Sequence, residues 1–125
     1  MNIILDTHVV IWALENNSTL SDKAAEAIID ADNMVFVSAA SVWEIGIKRT
    51  MGKLETPDNL LEEIRLHRFS SLPISLHHAE LAAKLPNIHK DPFDRMLIAQ
   101  AMYEKLTLVT RDEVTSKYDV KILKA

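Results

Sequence analysis

Short apolar runs alternate with amphipathic stretches along the whole chain. Residues 2–5 form an Ile-rich run too short for a helix and read as a buried strand. Residues 8–15 follow as a short helix carrying Val9, Val10, Trp12 and Ala13, and Asn16-Asn17-Ser18 makes a turn cluster. Ser21 caps a second helix whose apolar stripe is Leu20, Ala24, Ala27, Ile28 and Ala31. Residues 34–37 read as the next strand. A helix opens at about Ser41 and runs toward Met51, with Gly52 as its stop, and Pro57-Asp58 starts another through about His67, turning Leu60, Leu61 and Ile64 inward. Residues 69–74 are a strand that Pro73 assigns to a sheet edge or a strand end. Residues 76–85 are helical and end at Pro86. Asp91-Pro92 opens a helix to about Lys105, and its run Met96-Leu97-Ile98-Ala99 is apolar on most sides, which marks it as central. Residues 106–109 and 120–123 complete the strands. Strands separated by helices predict parallel pairing and an α/β sheet.

Composition narrows what such a sheet can carry. The 125 residues predict one domain spanning 1–125, and 48% apolar residues supply a core for it. The chain has no Cys, which excludes a disulfide scaffold, a thiolate nucleophile and a Cys-based zinc site. Neither a signal peptide nor a membrane span is legible, so a cytoplasmic protein is expected. The net charge of −4 argues against a basic module that coats nucleic acid.

The acids, by contrast, fall in a pattern. Asp6 and Asp112 follow expected strands, while Glu44 and Asp94 lie in the first turns of expected helices. In an open α/β sheet these seams meet at the carboxyl edge of the strands. Each acid has an ordinary explanation. Asp6 could be an N-cap, Ser41-x-x-Glu44 has the form of a capping box, Asp91 could cap a helix with Asp94 in its first turn, and Asp112 could organise a turn. Caps need no charge, however, since Ser, Thr and Asn cap as well as Asp. Four carboxylates brought together would raise one another's pKa and destabilise the fold unless a divalent cation neutralised them. Hard oxygen donors suit Mg²⁺ or Mn²⁺, and water activated by such an ion can attack a phosphodiester. Asp6, Glu44, Asp94 and Asp112 are therefore both the candidate metal ligands and the candidate catalytic residues, and Thr7 and Thr110 beside two of them could orient ligands or waters.

Other chemistry finds little support. His77 and His78 are adjacent and diverge on a helix, no H-x-x-x-H spacing occurs, and there is no G-x-S-x-G elbow. His8 and His89 could approach the acidic edge but are read as surface or capping residues. Trp12 and Trp43 are read as core, with Trp43 able to anchor the helix that carries Glu44. Lys48, Arg95 and Arg111 are candidate phosphate contacts, and Arg95 could equally pair with an acid.

Several segments resemble the PIN-domain family. They are Leu5-Asp6-Thr7-His8, Ser38-Ala39-Ala40-Ser41-Val42-Trp43-Glu44-Ile45, Gly52-Lys53-Leu54, Leu72-Pro73-Ile74 with His78-Ala79, His89-Lys90-Asp91-Pro92-Phe93-Asp94-Arg95-Met96-Leu97-Ile98-Ala99-Gln100-Ala101, and Leu108-Val109-Thr110-Arg111-Asp112. Within that family the chain resembles VapC-type toxins of type II toxin–antitoxin pairs. The resemblance covers nearly the whole length. It implies a three-layer α/β/α sandwich around a mainly parallel sheet and a Mg²⁺- or Mn²⁺-dependent endoribonuclease whose acidic quartet falls on Asp6, Glu44, Asp94 and Asp112. It further implies an RNA substrate, a small cognate antitoxin and a homodimer. One departure is that Thr115 stands where relatives often carry Phe, while Tyr118 is kept. Two other classes compete. A non-enzymatic PIN-like module that holds a partner protein needs no intact acids. A receiver-like domain with a phosphorylatable Asp usually has a Lys in the region that Arg111 and Asp112 occupy.

Overall fold

The computed structural model describes residues 1–125. Five strands form one sheet, β1 (Ile3–Leu5), β2 (Val35–Ser38), β3 (Ser70–Leu72), β4 (Thr107–Thr110) and β5 (Ile122–Lys124), in the order β3-β2-β1-β4-β5. Every neighbouring pair is parallel. Helices α1 (Thr7–Leu14) and α2 (Asp22–Ile29) connect β1 to β2. α3 (Ala39–Thr50) and α4 (Leu60–Leu66) connect β2 to β3, and α5 (Leu76–Lys84) and α6 (Pro92–Glu104) connect β3 to β4. A 3-10 turn, Glu113–Lys117, precedes β5.

The layering follows from the period of two along β1, all of whose residues are wholly buried. Ile3 and Leu5 face a cluster with Val9 and Val10 of α1, Ala24 and Ala27 of α2, Ile45 of α3 and Ile64 of α4. Ile4 faces the opposite cluster, with Ala82 of α5 and Leu97, Ile98 and Ala101 of α6. The sheet is thus sandwiched between α1–α4 and α5–α6, and the expected α/β/α architecture is what the chain adopts. Pro73 directly follows β3, the edge strand, as its missing N–H requires.

Several local expectations are overturned: Leu61 does not turn inward but is 69% exposed, and Glu44 lies in the second turn of its helix rather than the first. The third helix begins two residues early, because Ser38 rather than Ser41 accepts the Ala40 N–H at 3.0 Å. Ser41 is then buried inside the helix and forms no capping box with Glu44. A capping box does form between Ser75 and His78 at the start of α5, where the His78 ring, 2% exposed, also meets Glu104 at 2.9 Å. Trp43 is not core: it is 63% exposed and meets Phe93 edge-on at 5.3 Å between ring centroids. The inward face of α3 is taken by Ile45, which leaves position 43 pointing away from the sheet. Trp43→Ser is therefore expected to lower stability by less than about 1 kcal/mol, the scale of one exposed aromatic pair, and not by the roughly 3–5 kcal/mol of a buried Trp. Thermal denaturation measures this, and a loss above about 2 kcal/mol would place the ring in a packed site. Trp12 is half-buried, packed against the α1–α4 core.

Candidate metal centre

The chain leaves β1 toward β2 and β3 on one side and returns to β4 on the other. The carboxyl ends of β1 and β4 therefore flank a topological switch point, the place where open α/β sheets bind ligands. Asp6 follows β1 at once and Asp112 lies two residues beyond β4. α3 packs against both α1 and α6, which brings Glu44 and Asp94 to the same edge.

Asp6 is the N-cap of α1. One carboxylate oxygen accepts the Thr7 N–H at 2.6 Å and the other accepts the Thr110 hydroxyl at 2.6 Å. Burial pushes its carboxyl above the ordinary value, while these hydrogen bonds and the nearby His8 oppose the shift. Glu44 is 5% exposed. Its Oε1 accepts the Thr7 hydroxyl at 2.7 Å and its Oε2 meets Lys48 Nζ at 2.6 Å. Thr7 and Thr110 thus hold two of the acids, the orienting work anticipated for them.

Asp94 sits in the first turn of α6, whose N-cap Asp91 accepts the Phe93 and Asp94 N–H groups. Burial raises the Asp94 carboxyl to about 6, with further pushes from Asp91, Asp6 and Glu44 against a smaller opposing pull from His89. That shift records burial first and the neighbouring acids after it. Asp112 caps the 3-10 turn through Oδ1, which accepts the Val114 N–H at 3.0 Å, and turns Oδ2 to His89 Nε2 at 2.7 Å. Ligand atoms of His89, Asp94 and Asp112 all lie within 4.8 Å of one another, a grouping that could hold a metal ion. Asp6 and Glu44 stand outside that tight set but close enough to bear on Asp94 electrostatically.

Of the candidate phosphate contacts, only Lys48 faces the acids. Its ammonium is held charged by its hydrogen bond to Glu44 and by the fields of Glu44, Asp91 and Asp94, against burial, which opposes the shift. Arg95 pairs with no acid. Its two terminal nitrogens donate to the carbonyls of Ala82, Leu85, Pro86 and His89 at 2.8–3.1 Å, closing the end of α5 and the loop behind it. Arg111 lies over the Trp12 ring, 4.5 Å from its centroid, and donates to the main-chain oxygens of Thr19 and Ala125. Both guanidiniums are engaged with backbone oxygens rather than with the acids. His89 is the site residue the sequence reading set aside. It has no metal-ligand spacing to any other donor, and its approach depends on the buried Tyr118, whose Oη accepts the His89 backbone N–H at 3.0 Å and meets Nδ1 at 2.9 Å. Retention of Tyr118 after Asp112 was the one signal that could have drawn attention there.

Comparison with known proteins agrees with the fold. The family described as PIN domain matches residues 3–121. Ribonuclease VapC16 of Mycobacterium tuberculosis is 38% identical over 55 residues, a stretch that spans 42% of this chain and 39% of that relative's length. Among solved structures, VapBC2 of Rickettsia felis bound to a promoter DNA fragment superposes with a TM-score of 0.71 at 16% identity, covering 99% of this chain and 98% of that one. A toxin–antitoxin complex from Klebsiella pneumoniae gives 0.66 at 20% identity, covering 97% and 95%. At such identities the likeness to these structures concerns the fold.

Proposed function

The chain belongs to the PIN-domain family, and from that premise we propose that it is a Mg²⁺- or Mn²⁺-dependent endoribonuclease, the toxin of a type II toxin–antitoxin pair. The observation that carries the reading is the gathering of acids at the switch point, where ligand atoms of Asp94, Asp112 and His89 lie within 4.8 Å of one another and Asp6 and Glu44 stand close enough to bear on Asp94. A fold with no use for these charges would gain stability by exchanging them for amides. The named ribonuclease among its relatives and the toxin–antitoxin complexes among its structural neighbours support the same assignment.

The oxygen donors of Asp94, Asp112 and Asp6 fit a hard divalent cation. Bound there, the cation supplies a polarised water and stabilises negative charge developing on the phosphodiester. Asp94 and Asp112 would hold it from α6 and from beyond the end of β4, and Asp6, fixed by Thr7 and Thr110, would face it from the end of the central strand. Glu44 holds Lys48 where its ammonium can meet a backbone phosphate of RNA. Glu44, on releasing Thr7 or Lys48, or Asp112 would accept the proton of an attacking water. A cognate antitoxin and a second copy of the chain are the partners this reading entails.

Cleavage of total RNA with Mg²⁺ or Mn²⁺, present and then chelated, tests the proposal. Asp6→Asn preserves the cap of α1 and is expected to lower the metal-dependent rate on the order of a hundredfold or more, as loss of one preorganised charge-stabilising group does. Equal cleavage by parent and variant would remove the activity from this site. Millimolar Mn²⁺ is also expected to raise the melting temperature, because the ion binds the folded chain, and no shift would speak against a preformed metal site. The second reading, a PIN-like module that binds protein without cutting, draws on the exposed apolar groove of Val42, Trp43, Ile47 and Met51 on α3. It predicts that Asp6→Asn leaves function untouched.

A further inference from the structure

We propose that His89 is a nitrogen ligand of the metal centre, so that the site is a mixed oxygen–nitrogen one with a preference for Mn²⁺ over Mg²⁺. The inference rests on the metal-dependent reading above and assigns a donor that the acidic quartet lacks.

Two observations carry it. The first is placement. Nε2 of His89 lies 2.7 Å from Asp112 Oδ2, and with an Asp94 carboxylate oxygen all three atoms fall within 4.8 Å of one another. A compact cation with bonds of about 2.1 Å can be spanned by such a set. The second is preorganisation. The His89 side chain is 10% exposed. Its Nδ1 meets Tyr118 Oη at 2.9 Å and its backbone N–H donates to the same oxygen at 3.0 Å. Its carbonyl accepts from Arg95 at 3.1 Å, so the loop is tied at both sides of the ring. A ligating histidine is ordinarily held through its second ring nitrogen in this way, which fixes the tautomer and aims the lone pair. At 2.7 Å from the Asp112 carboxylate, Nε2 carries the ring proton in this structure; with an ion bound that proton would sit on Nδ1, where the Tyr118 oxygen can accept it, and Nε2 would be bare toward the ion.

The donor set determines ion choice. Mg²⁺ favours oxygen ligands and keeps several waters, whereas imidazole is accepted more readily along the first transition row, where Mn²⁺ begins. The chain should therefore bind Mn²⁺ more tightly than Mg²⁺, and His89 should account for the difference.

The test uses the full chain and Mn²⁺ as the probe. Pulsed electron paramagnetic resonance on the Mn²⁺ complex is expected to show coupling to a directly bound nitrogen. His89→Gln should remove that coupling, weaken Mn²⁺ binding in calorimetry at least about tenfold, and change Mg²⁺ binding less. Nitrogen coupling in the parent that survives in His89→Gln, or Mn²⁺ bound without any nitrogen coupling, overturns the inference while leaving an acid-only metal centre intact. Failure of the parent to bind Mn²⁺ at all overturns the metal-dependent reading together with it. A parent spectrum without nitrogen coupling overturns the inference even if the variant does not fold, and ¹⁵N labelling of histidine together with His8→Gln as a second variant assigns a positive one.

Discussion

Asp94→Asn is expected to abolish metal-dependent RNA cleavage and, in the metal-free protein at pH 7.5, to raise the melting temperature. The two effects have one cause. Burial, and then the charges of Asp91 and Asp6, lift the Asp94 carboxyl to about 6 from an ordinary 3.8. A carboxyl whose folded pKa exceeds its unfolded one favours the fold when protonated. Its stabilising contribution is complete below about pH 4 and is lost as pH rises through about 6. Above that, ionised Asp94 strains the metal-free site. Asparagine keeps the size, removes the charge and leaves the Asp91 cap in place. After allowance for partial exposure to solvent, the gain is on the order of 1 kcal/mol, or a few degrees. The difference between parent and variant should vanish at pH 4. Added Mn²⁺ should reverse the order at pH 7.5, raising the parent and leaving the variant nearly unchanged. Calorimetric melting at the two pH values, with and without Mn²⁺, measures all of this. A variant less stable than the parent at pH 7.5 without metal would mean that Asp94 is a structural cap and not a charge kept for an ion.

Arg95→Leu is expected to destabilise the protein by about 3 kcal/mol and lower the melting temperature on the order of 10 °C. The guanidinium donates to four carbonyls, of Ala82, Leu85, Pro86 and His89. Those at the end of α5 are acceptors that a helix terminus leaves without partners, and leucine cannot satisfy them. Arg95→Lys should rescue little, because one ammonium cannot span four oxygens that a planar fork reaches. Since the same guanidinium holds the His89 carbonyl, cleavage should fall with stability. A melting temperature within about 1 °C of the parent would show that water replaces the guanidinium without penalty.

These two residues are neighbours, and they mark the boundary of what was legible. Asp94 could be placed from the chain alone, because Asp91-Pro92 announces a helix start and the first turn of a helix following a strand edge has a predictable address. The same logic located Asp6 and Asp112 after their strands and Pro73 at the end of the edge strand. Arg95 could not be placed, because a long side chain reaches several ångströms and its partners lie on α5 and the loop after it, a packing that no local pattern encodes. Arg111, one residue before Asp112, turns instead to Trp12 and the oxygens of Thr19 and Ala125 for the same reason. For Trp43 the difficulty was of another kind. An apolar residue in an amphipathic pattern is assigned to the core by default, yet the inward face of α3 belongs to Ile45, and Trp43 is left exposed.

By itself the sequence determined the alternation of strand and helix, the parallel sheet and the seams at which its acids stand, because these follow from periodicities of two and 3.6 residues and from turn and cap chemistry within a few positions. Only the tertiary structure decided which partners Lys48, Arg95 and Arg111 take, that Thr7 and Thr110 hold Glu44 and Asp6, and that His89 enters the acid group from a loop pinned by Tyr118. Those are meetings of side chains separated by 29 to 104 positions for the pairs His89–Tyr118, Thr7–Glu44 and Asp6–Thr110. They exist because the strand order β3-β2-β1-β4-β5 sets β1 beside β4, and strand order is a property of the packed sheet rather than of any stretch of chain.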